Sequence, residues 1–426
     1  MLTELHLENW KSYQQATLYI DPISVLIGVN ASGKSNALDA LQWLNRLATG
    51  QSLTAALKGE GGQSPIRGGL EWAARQPGSQ FTLSVLCHAD THTDYRYRIS
   101  GVIYDNRCQV QAEQLTRLRY RQGKDGARKS LAGEIQLLRT DPAQADAPSL
   151  TARLYNAKQG SPRQLSRSHA VLFQLVGQKL RQEIHDGVST VVDTLRNIFI
   201  LDPIPSHMRG YSALAEQLAP DASNIAGVLA ALADDAKHSI EATLTRYARQ
   251  LPERDILRVY AETIGKFNSD AMLYCEENWH PGQPAPTVDA RGMSDGTLRF
   301  LAILTALLTR PAGSLLVIEE VDNGLHPSRA QLLLDMLSTV GSERQVDVLL
   351  TTHNPALLDS MGVAMSPFIT VTHRDDATGA STLTLLEDIA QLPKLLGQGP
   401  IGYLSSRGVI ERSLAGQAHA QGAEHG

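Results

Sequence analysis

Hydrophobic and polar residues alternate with two different periods along this chain. A period of two, typical of half-buried strands, predicts strands at residues 2–8, 16–20, 80–87 and 94–104. The continuous apolar run at Ile23–Ile27 predicts a buried strand, and residues 36–47 after it have the spacing of a helix. The N-terminal part is therefore predicted to be mostly β, with one helix after its third strand.

The C-terminal part changes to a regular alternation of helix and strand. The predicted elements are a helix at 296–309, a strand at 314–318, a helix at 327–340, a strand at 346–351 and a helix at 355–360. Because parallel strands need a crossover connection, usually a helix, this order predicts a mainly parallel sheet. Helices at 170–198 and 221–250 and strands near 254–264 and 271–277 are predicted to precede it.

The stretch between these two parts has weaker signals. Residues 51–79 are rich in Gly, Ser and Pro and are predicted to form a long loop. Residues 105–168 are polar and weakly periodic, which predicts some strand pairing and then a mobile segment at 141–164. The resulting division places lobe I at 1–104, a basic and partly mobile insertion at 105–200, a helical segment with lobe II at 201–410, and a disordered tail at 411–426.

Composition limits the class of protein. The chain has 426 residues, 42% of them hydrophobic, which is enough for a large core. The sequence has neither a signal peptide nor an apolar run long enough to span a bilayer. The three cysteines, Cys87, Cys108 and Cys275, are scattered, so neither a zinc site nor a disulfide framework is predicted. We therefore expect a cytoplasmic protein without membrane partners.

Charge is distributed unevenly. The net charge is −5, yet residues 96–181 hold 16 Lys/Arg and 6 Asp/Glu, so this stretch carries +10 and the remainder −15. Its basic residues include Arg117, Arg119, Arg121, Lys124, Arg128 and Lys129. One interpretation is a surface for nucleic acid or an acidic partner, whose binding would weaken steeply with salt. The other is a solvated, loop-rich insertion, and the sequence leaves both open.

The eight residues from Gly28 to Ser35 match the pattern G-x-x-x-x-G-K-[ST] of phosphate-binding loops. The predicted strand before it and helix after it supply the context that this motif requires. Gly28 and Gly33 let the backbone curl so that successive N–H groups face phosphate oxygens. The N-terminus of the helix adds its positive dipole. Lys34 is expected to reach the β- and γ-phosphates, and Ser35 to bind magnesium.

An apolar strand ending in two carboxylates occurs at residues 315–320. A parallel strand buried on both faces is apolar throughout, and ligand-binding groups gather at its C-terminal end. Glu319 is expected to hold the magnesium shell. The next residue, Glu320, is expected to point to the opposite side because strand side chains alternate, and there it can polarise an attacking water.

Two further motifs follow the same logic. Ser294 or Asp295 suits the N-cap of a helix, and Gly296 leaves backbone N–H groups accessible, which predicts a second anion-binding helix start. An ordinary helix cap is the alternative. His353 ends the strand at 346–351, where a side chain can meet the γ-phosphate of a nucleotide, although a histidine at a strand end is also commonly structural.

Together these motifs resemble ABC-type ATPases of the SMC/RecF branch. The resemblance identifies residues 28–35 as Walker A, 294–296 as the signature, 315–320 as Walker B, 322–323 as the D-loop and His353 as the switch histidine. Residues 9–12 look like the N-F-K-S start of that branch, with Trp10 in place of Phe. Glu319 stands where ABC proteins commonly have Asp. The Q-loop glutamine stays unassigned.

The resemblance implies an α/β fold: an ABC-type P-loop ATPase head with a mixed β first lobe, a helical middle lobe with the insertion, and a mainly parallel C-terminal sheet. ATP and Mg²⁺ are the implied ligands. The residues implied to contact nucleotide are Asn30, Ala31, Ser32, Gly33, Lys34, Ser35, Asn36, Lys11, Ser294 and Gly296. Those implied for the metal are Ser35 and Glu319, and those for catalysis are Glu320, His353 and Lys34.

ABC-type sites are shared between subunits, so the resemblance also implies a homodimer or larger assembly in which Ser294 and Gly296 act on a partner subunit's ATP. Residues 294–299 and 319–327 look like the compact ATPases of bacterial anti-phage systems, of which PARIS, Septu and OLD-type nucleases contain examples. Ser294 follows Gly28 by 266 positions, and the stretch between them contains no heptads, which argues against a long coiled-coil arm. The 73 residues after His353 lack the D-x-D pair of a Toprim nuclease.

Three roles remain open on this basis. The first is the ATPase and sensor subunit of a defence system, paired with a separately encoded effector such as a nuclease or toxin. The second is a RecF-like DNA-repair ATPase. The third is a scaffold that binds ATP with little turnover and holds an effector inactive.

Overall fold

The computed structural model describes residues 1–123, 128–143, 147–155, 160–251, 256–278, 285–323 and 326–414. Its strands are β1 (Leu2–Trp10), β2 (Tyr13–Tyr19), β3 (Ile23–Ile27), β4 (Gln80–Asp90), β5 (Thr93–Tyr104), β6 (Arg107–Gln122), β7 (Arg128–Thr140), β8 (Ser149–Leu154), β9 (Ser161–Ser166), β10 (Ile198–Leu201), β11 (Ser212–Ala213), β12 (Ile256–Ile264), β13 (Asp270–Glu277), β14 (Thr287–Asp289), β15 (Leu315–Ile318), β16 (Asp347–Thr351), β17 (Ile369–Arg374) and β18 (Ser381–Leu385).

The helices are α1 (Lys34–Ala48), α2 (Leu53–Lys58), α3 (Val171–Gln174), α4 (Gln182–Arg196), α5 (Pro205–Met208), α6 (Ile225–Ala231), α7 (Asp234–Ala248), α8 (Asp295–Thr309), α9 (Ala330–Arg344), α10 (Pro355–Met361), α11 (Leu392–Leu396) and α12 (Ile401–Ser406). Short 3₁₀ segments occur at Pro327–Arg329, Val363–Phe368 and Leu386–Asp388. None of the described helices is long and apolar enough to cross a membrane.

A fourteen-stranded sheet organises the molecule, in the order β10-β15-β16-β3-β17-β18-β2-β1-β4-β5-β6-β7-β8-β9. The first five of these strands are all parallel. Their C-terminal ends therefore meet at one edge of the sheet, the usual place for a ligand site in α/β proteins. The predicted α/β class with a mainly parallel C-terminal sheet is confirmed.

The parallel strands are apolar on both faces because each face packs on a separate core. Leu316 and Ile318 of β15 belong to one cluster of buried side chains, whereas Leu315 and Val317 belong to the other. One-residue alternation thus sends neighbouring side chains into opposite layers. The cluster containing Leu316 includes residues of α6, α8 and α9, and the cluster containing Leu315 includes residues of α1 and α4.

The rest of the large sheet is mostly antiparallel. β18 pairs with β17 antiparallel and joins β2 through the single parallel pair Ser381↔Tyr13. From β2 to β9 every neighbouring pair is antiparallel. A smaller sheet of β11, β13 and β12, with β14 on β13, leads into α8.

The structure differs from the sequence-based expectation in the middle of the chain. The predicted loop at 51–79 contains α2, whose first turn is capped by Ser52 accepting from the Ala55 N–H. The predicted mobile segment at 141–164 contains the antiparallel pair of β8 and β9. Each of these strands has only six residues, and the sequence of β9, SPRQLS, has little hydrophobic periodicity.

Two predicted boundaries also differ. The division between residues 104 and 105 falls in the turn of the β5–β6 hairpin, whose strands pair along their length, so the basic stretch continues the sheet of lobe I. Residues 411–414, predicted to belong to the disordered tail, are helical and bury Leu414. The remainder of that tail, 415–426, lies outside the described residues.

Candidate nucleotide-binding site

The phosphate loop runs from the end of β3 to the start of α1, as the motif predicts. Gly28 has φ +145° and Gly33 has φ +123°, in the region that favours glycine. A Cβ on Gly28 would lie 2.2 Å from the Thr372 carbonyl oxygen, and one on Gly33 would lie 2.5 Å from Ser381 Oγ. Both positions therefore require glycine for space as well as for backbone conformation.

Neighbouring strands hold the loop from behind. The Tyr13 hydroxyl donates to the Gly33 carbonyl oxygen at 2.9 Å, and the Ser381 hydroxyl donates to that of Ser32. Trp10 is fully buried and its indole N–H donates to the Asn36 carbonyl oxygen at 2.7 Å. The Trp that replaces Phe in the N-F-K-S-like start thus fixes the first turn of α1.

Lys34 is the first residue of α1. Its Nζ donates to the carbonyl oxygens of Gly28 (2.5 Å) and Val29 (3.2 Å), which folds the side chain back over the loop. Burial lowers the pKa of Lys34 from its ordinary value. Three carboxylates act in the opposite direction, namely Glu320, Glu319 and Glu411. The lysine thus lies in the field of both Walker B glutamates.

Ser35 and Glu319 meet directly. The Ser35 hydroxyl donates to Glu319 Oε1 at 2.5 Å, across 284 residues of sequence. Burial alone would raise the pKa of the Glu319 carboxyl, but hydrogen bonds from Arg67 and Ser35 outweigh it and the pKa is lowered. An ionised carboxylate beside a hydroxyl is a hard oxygen donor pair that fits Mg²⁺.

Arg67 joins this pair through a network that the sequence analysis missed. Its Nη1 and Nη2 donate to the two oxygens of Glu319 at 2.9 and 3.0 Å, and its Nε donates to Asp39 at 3.3 Å. Lys11 forms an ion pair with the buried Asp39, and its Nζ also donates to the Arg67 carbonyl oxygen at 2.7 Å. The predicted nucleotide contact Lys11 is thus engaged with α1 and the Arg67 segment.

Glu320 does not follow the predicted strand geometry. β15 ends at Ile318, and Glu320 lies in a turn with φ +48°. Its N–H donates to Thr351 Oγ1 at 2.8 Å, which ties the turn to β16, and the residue is exposed. The expectation that strand alternation orients Glu320 is therefore wrong, because a left-handed residue in a turn sets its direction instead.

His353 lies at the end of β16, between the strand that precedes the phosphate loop and the strand that precedes Glu319. β16 lies between β15 and β3, and His353 follows it by two residues with an exposed side chain. Thr352 donates to Asp322 Oδ1 at 2.5 Å, which links the D-loop to the same strand end. Gly324 and Leu325 of that motif lie outside the described residues.

The remaining predicted contacts divide into two groups. Asn30 and Ala31 form an exposed part of the loop, and Ala31 has φ +63°. Asn36 Nδ2 donates to Ser12 Oγ at 2.7 Å and so supports the loop from lobe I.

The signature residues form a separate helix start. The Ser294 hydroxyl accepts from the Thr297 N–H at 3.1 Å and caps α8, as predicted. Asp295 accepts from Arg209 Nη2 at 2.5 Å, and Gly296 is buried. Within the described ranges, no hydrogen bond or ion pair connects residues 294–296 with the phosphate loop.

A third carboxylate lies at the same sheet edge. Asp202 follows β10, which is paired in parallel with β15 so that Leu201 aligns with Ile318. Burial raises the pKa of the Asp202 carboxyl, Arg299 opposes this, and the two Walker B glutamates add to it. Asp202 is not among the residues predicted for the site, although an apolar strand followed by a carboxylate is the signal that identified Glu319.

Part of the basic charge of residues 96–181 is paired within the molecule. Several pair with acids, namely Arg98 with Glu8, Arg128 with Asp94, Arg96 with Glu134 and Arg117 with Glu183. Arg119 and Arg121 are exposed near the end of β6, and Lys124 lies outside the described residues. Nucleic-acid contact through this stretch stays a prediction.

A known family matches most of the chain. Residues 23–359 match the profile of the family described as "AAA domain, putative AbiEii toxin, Type IV TA system". The matched range begins at β3 and ends in α10, so it contains the phosphate loop, the signature, the Walker B glutamates and His353.

Matches to individual proteins are shorter. A segment of 46 residues is 48% identical to "DNA replication and repair protein RecF" of Limosilactobacillus reuteri, in strains DSM 20016 and JCM 1112. The segment covers 11% of this chain and 12% of those curated relatives.

Solved SMC heads are similar at low identity. The SMC head bound to the C-winged helix domain of ScpA has a TM-score of 0.47 and 14% identity, covering 90% of this chain and 96% of that one. The head domain from Thermotoga maritima has a TM-score of 0.41 and 13% identity, covering 90% and 98%. The head with an extended coiled coil, bound to a ScpA domain derived from Pyrococcus furiosus, has a TM-score of 0.46 and 14% identity, covering 93% and 98%.

Proposed function

The chain belongs to this AbiEii-type AAA-domain family, in agreement with the predicted SMC/RecF-branch resemblance, and we propose that it is an ATP-hydrolysing switch subunit. Two copies would close around ATP and Mg²⁺, and the closed and open forms would control a separate effector, such as a nuclease or toxin of an anti-phage system. The observation that carries the ATPase proposal is the direct contact of Ser35 with Glu319. This contact joins the phosphate loop, which follows β3, to the carboxylate of Glu319, which follows β15.

Each residue of the cluster then has a distinct task. The N–H groups of the loop and the start of α1 would bind phosphate oxygens, and Lys34 would leave its two carbonyl acceptors to neutralise them. Ser35 and Glu319 would hold Mg²⁺, which supplies charge neutralisation of the phosphates when bound. Glu320 is exposed and close enough to Lys34 to interact with it electrostatically. It would accept a proton from the attacking water.

The dimer proposal rests on the position of the signature. Ser294 and Gly296 begin a helix whose N–H groups suit an anion, yet no hydrogen bond or ion pair joins residues 294–296 to the phosphate loop within the described ranges. A second subunit would bring its own phosphate loop to this helix start. Hydrolysis would then remove the ligand that the two subunits share.

A RecF-like role in DNA repair is the second candidate. The 46-residue match to RecF favours it, although only 12% of those relatives is covered. A RecF-like ATPase should hydrolyse ATP faster when double-stranded DNA is added, whereas a defence switch waiting for its own trigger should not respond to DNA alone.

The test is ATP binding and phosphate release by the full chain and by K34A. We expect K34A to lose nucleotide affinity by roughly tenfold or more, because phosphate charge loses a charged hydrogen-bond donor. The matched control is K58A, which removes an exposed lysine from α2. Equal binding and turnover in K34A and the unmodified chain would refute the phosphate-loop assignment.

A further inference from the structure

Arg67 occupies the carboxylate that a divalent cation would need. Its guanidinium donates to both oxygens of Glu319, and Oε1 of the same carboxylate also accepts from Ser35. We propose that Arg67 is a displaceable counter-ion, a positioning residue that holds the magnesium site closed until Mg²⁺ takes its place. The inference rests on the proposed function in that it takes Glu319 as a magnesium ligand.

A bare carboxylate at this position would be costly. The side chain of Glu319 is only 24% exposed, and a partly buried ion without a partner loses much of its hydration. A bidentate Arg–carboxylate pair offsets that cost through two charge-assisted hydrogen bonds. Mg²⁺ would offset it equally, so the arginine and the cation are alternatives at the same oxygens.

The surroundings allow the Arg67 side chain to leave Glu319 without placing an unpaired charge in a buried position. Its side chain is 53% exposed, so the guanidinium can turn towards water. Asp39 can keep the Nε contact, and this carboxylate is also paired with Lys11. Because Lys11 Nζ holds the Arg67 carbonyl oxygen, only the side chain has to move.

A second pair in the same sheet provides a matched control. Arg98 binds both oxygens of Glu8 at 3.0 and 2.6 Å, and the two side chains are 42% and 29% exposed. This pair resembles Arg67–Glu319 in geometry and exposure, but no phosphate-loop hydroxyl contacts Glu8 among the described residues. Loss of either arginine removes a similar bidentate ion pair. Arg67 also contacts Asp39 and Glu8 also contacts His6, but only Glu319 accepts from the phosphate-loop Ser35.

The experiment follows thermal unfolding of the full chain without nucleotide while MgCl₂ is added at constant ionic strength. We expect R67Q to melt at a lower temperature than the unmodified chain and to recover the loss with Mg²⁺, whereas R98Q recovers nothing. The Mg²⁺ midpoint should be roughly tenfold lower in R67Q than in the unmodified chain. The double variant R67Q/E319Q should lose the response, and R67K, with one point charge, should lie between.

An equal Mg²⁺ response in the unmodified chain and R67Q would overturn the proposal, as would a response of R67Q/E319Q equal to that of R67Q. If R67Q does not fold, the R67K midpoint decides, and a value equal to that of the unmodified chain refutes displacement. Nucleotide binding by the unmodified chain and K34A tests the ATPase separately. Binding that depends on Lys34, together with no gain of Mg²⁺ response in R67Q, would reject only the role of Arg67.

Discussion

The two halves of the large sheet differ in where their polar groups lie. The parallel half consists of β10, β15, β16, β3 and β17, and the antiparallel half consists of β2, β1 and β4 to β9. In the parallel half, β15 is apolar along its length and β3 nearly so, and polar residues that follow these strands meet at one edge, where Ser35 contacts Glu319. Strands of the antiparallel half alternate, and their ion pairs, such as Arg98–Glu8, lie across the open face.

The difference separates polar residues that serve a site from those that serve the sheet. At the parallel edge, contacts join residues hundreds of positions apart, and two glycines and the left-handed Glu320 adopt demanding backbone conformations. In the antiparallel half, ion pairs such as Arg98–Glu8 and Arg128–Asp94 join strands that are separated by one intervening strand, so they stabilise the sheet itself. Substitutions at the parallel edge should therefore change turnover, and those in the antiparallel half should change stability.

The largest effect is expected for E320Q. An amide is a poor base, and general-base catalysis commonly contributes about 10²–10⁴ in rate, so turnover should fall by roughly a hundredfold or more. ATP binding and the melting temperature should change little, and an ATP-bound dimer should accumulate. Phosphate release, calorimetric nucleotide binding, thermal unfolding and light scattering measure these four quantities.

The control for E320Q is E343Q, which changes an exposed carboxylate on α9. Turnover by E320Q at the rate of E343Q would contradict the role of Glu320. Loss of binding rather than of hydrolysis would also contradict it, and Glu319 would become the better candidate for the base.

A second substitution tests whether the α8 helix start belongs to a shared site. S294R places a bulky cation at the start of α8, so this variant alone should lose most of its turnover. Mixed with K34A subunits, it should regain part of the activity, because one of the two sites would combine an intact phosphate loop with an intact signature. ATPase activity against subunit ratio gives the measurement.

Full activity in a strictly monomeric preparation would exclude shared sites. Shared sites would also be excluded if the mixture regained no activity although subunit exchange had been demonstrated independently. The exception is an enzyme in which each site works only when both are intact. Nucleotide-dependent dimerisation followed by light scattering distinguishes that case.

The smallest effect concerns Glu113 of the antiparallel half. This buried carboxyl accepts from the N–H groups of Val171 and Leu172, both at 2.6 Å, and from the Tyr97 hydroxyl. Burial raises its pKa from 4.5 to about 7. Because the folded state holds this proton more tightly than the unfolded state, the stability that Glu113 contributes is fully present below pH 4.5 and is lost as pH rises towards 7.

The loss attributable to Glu113 is on the order of 3 kcal/mol, and E113Q should abolish it without changing turnover. Urea unfolding at several pH values between 5 and 8 measures the slope for both chains. Asp347, whose pKa burial raises to about 6, acts in the same direction, so D347N is the control that should leave the Glu113 contribution in place. An unchanged slope in E113Q would show that Glu113 does not titrate in this window.

The sequence predicted the parallel edge well because its signals are local. The loop at 28–35 carries its own turn glycines, the apolar run of β15 identifies a buried strand, and Ser294 is a helix cap that three residues define. Each of these needs only a few neighbouring residues. Their assembly follows from parallel pairing, which the alternation of helix and strand already implies.

The contacts that the sequence did not predict depend on distant residues or on weak periodicity. Arg67 stands in a Gly-rich segment, and its partner Glu319 is 252 residues away, so no local pattern marks it. The turn at Glu320 depends on Thr351 of the next strand. β8 pairs with β7, and β9 pairs with β8. Each of the two strands has only six residues, which is too short for the hydrophobic pattern to predict this pairing.

The left-handed backbone at Glu320 bears on the balance between stability and function. A non-glycine residue at φ +48° costs about 1–2 kcal/mol, which glycine would not. Selection for stability alone would therefore place glycine at position 320. A carboxylate that stands there despite this cost is the kind of trade-off expected of a residue retained for its chemistry. The energetics of one turn thus favour a functional Glu320 independently of any sequence motif.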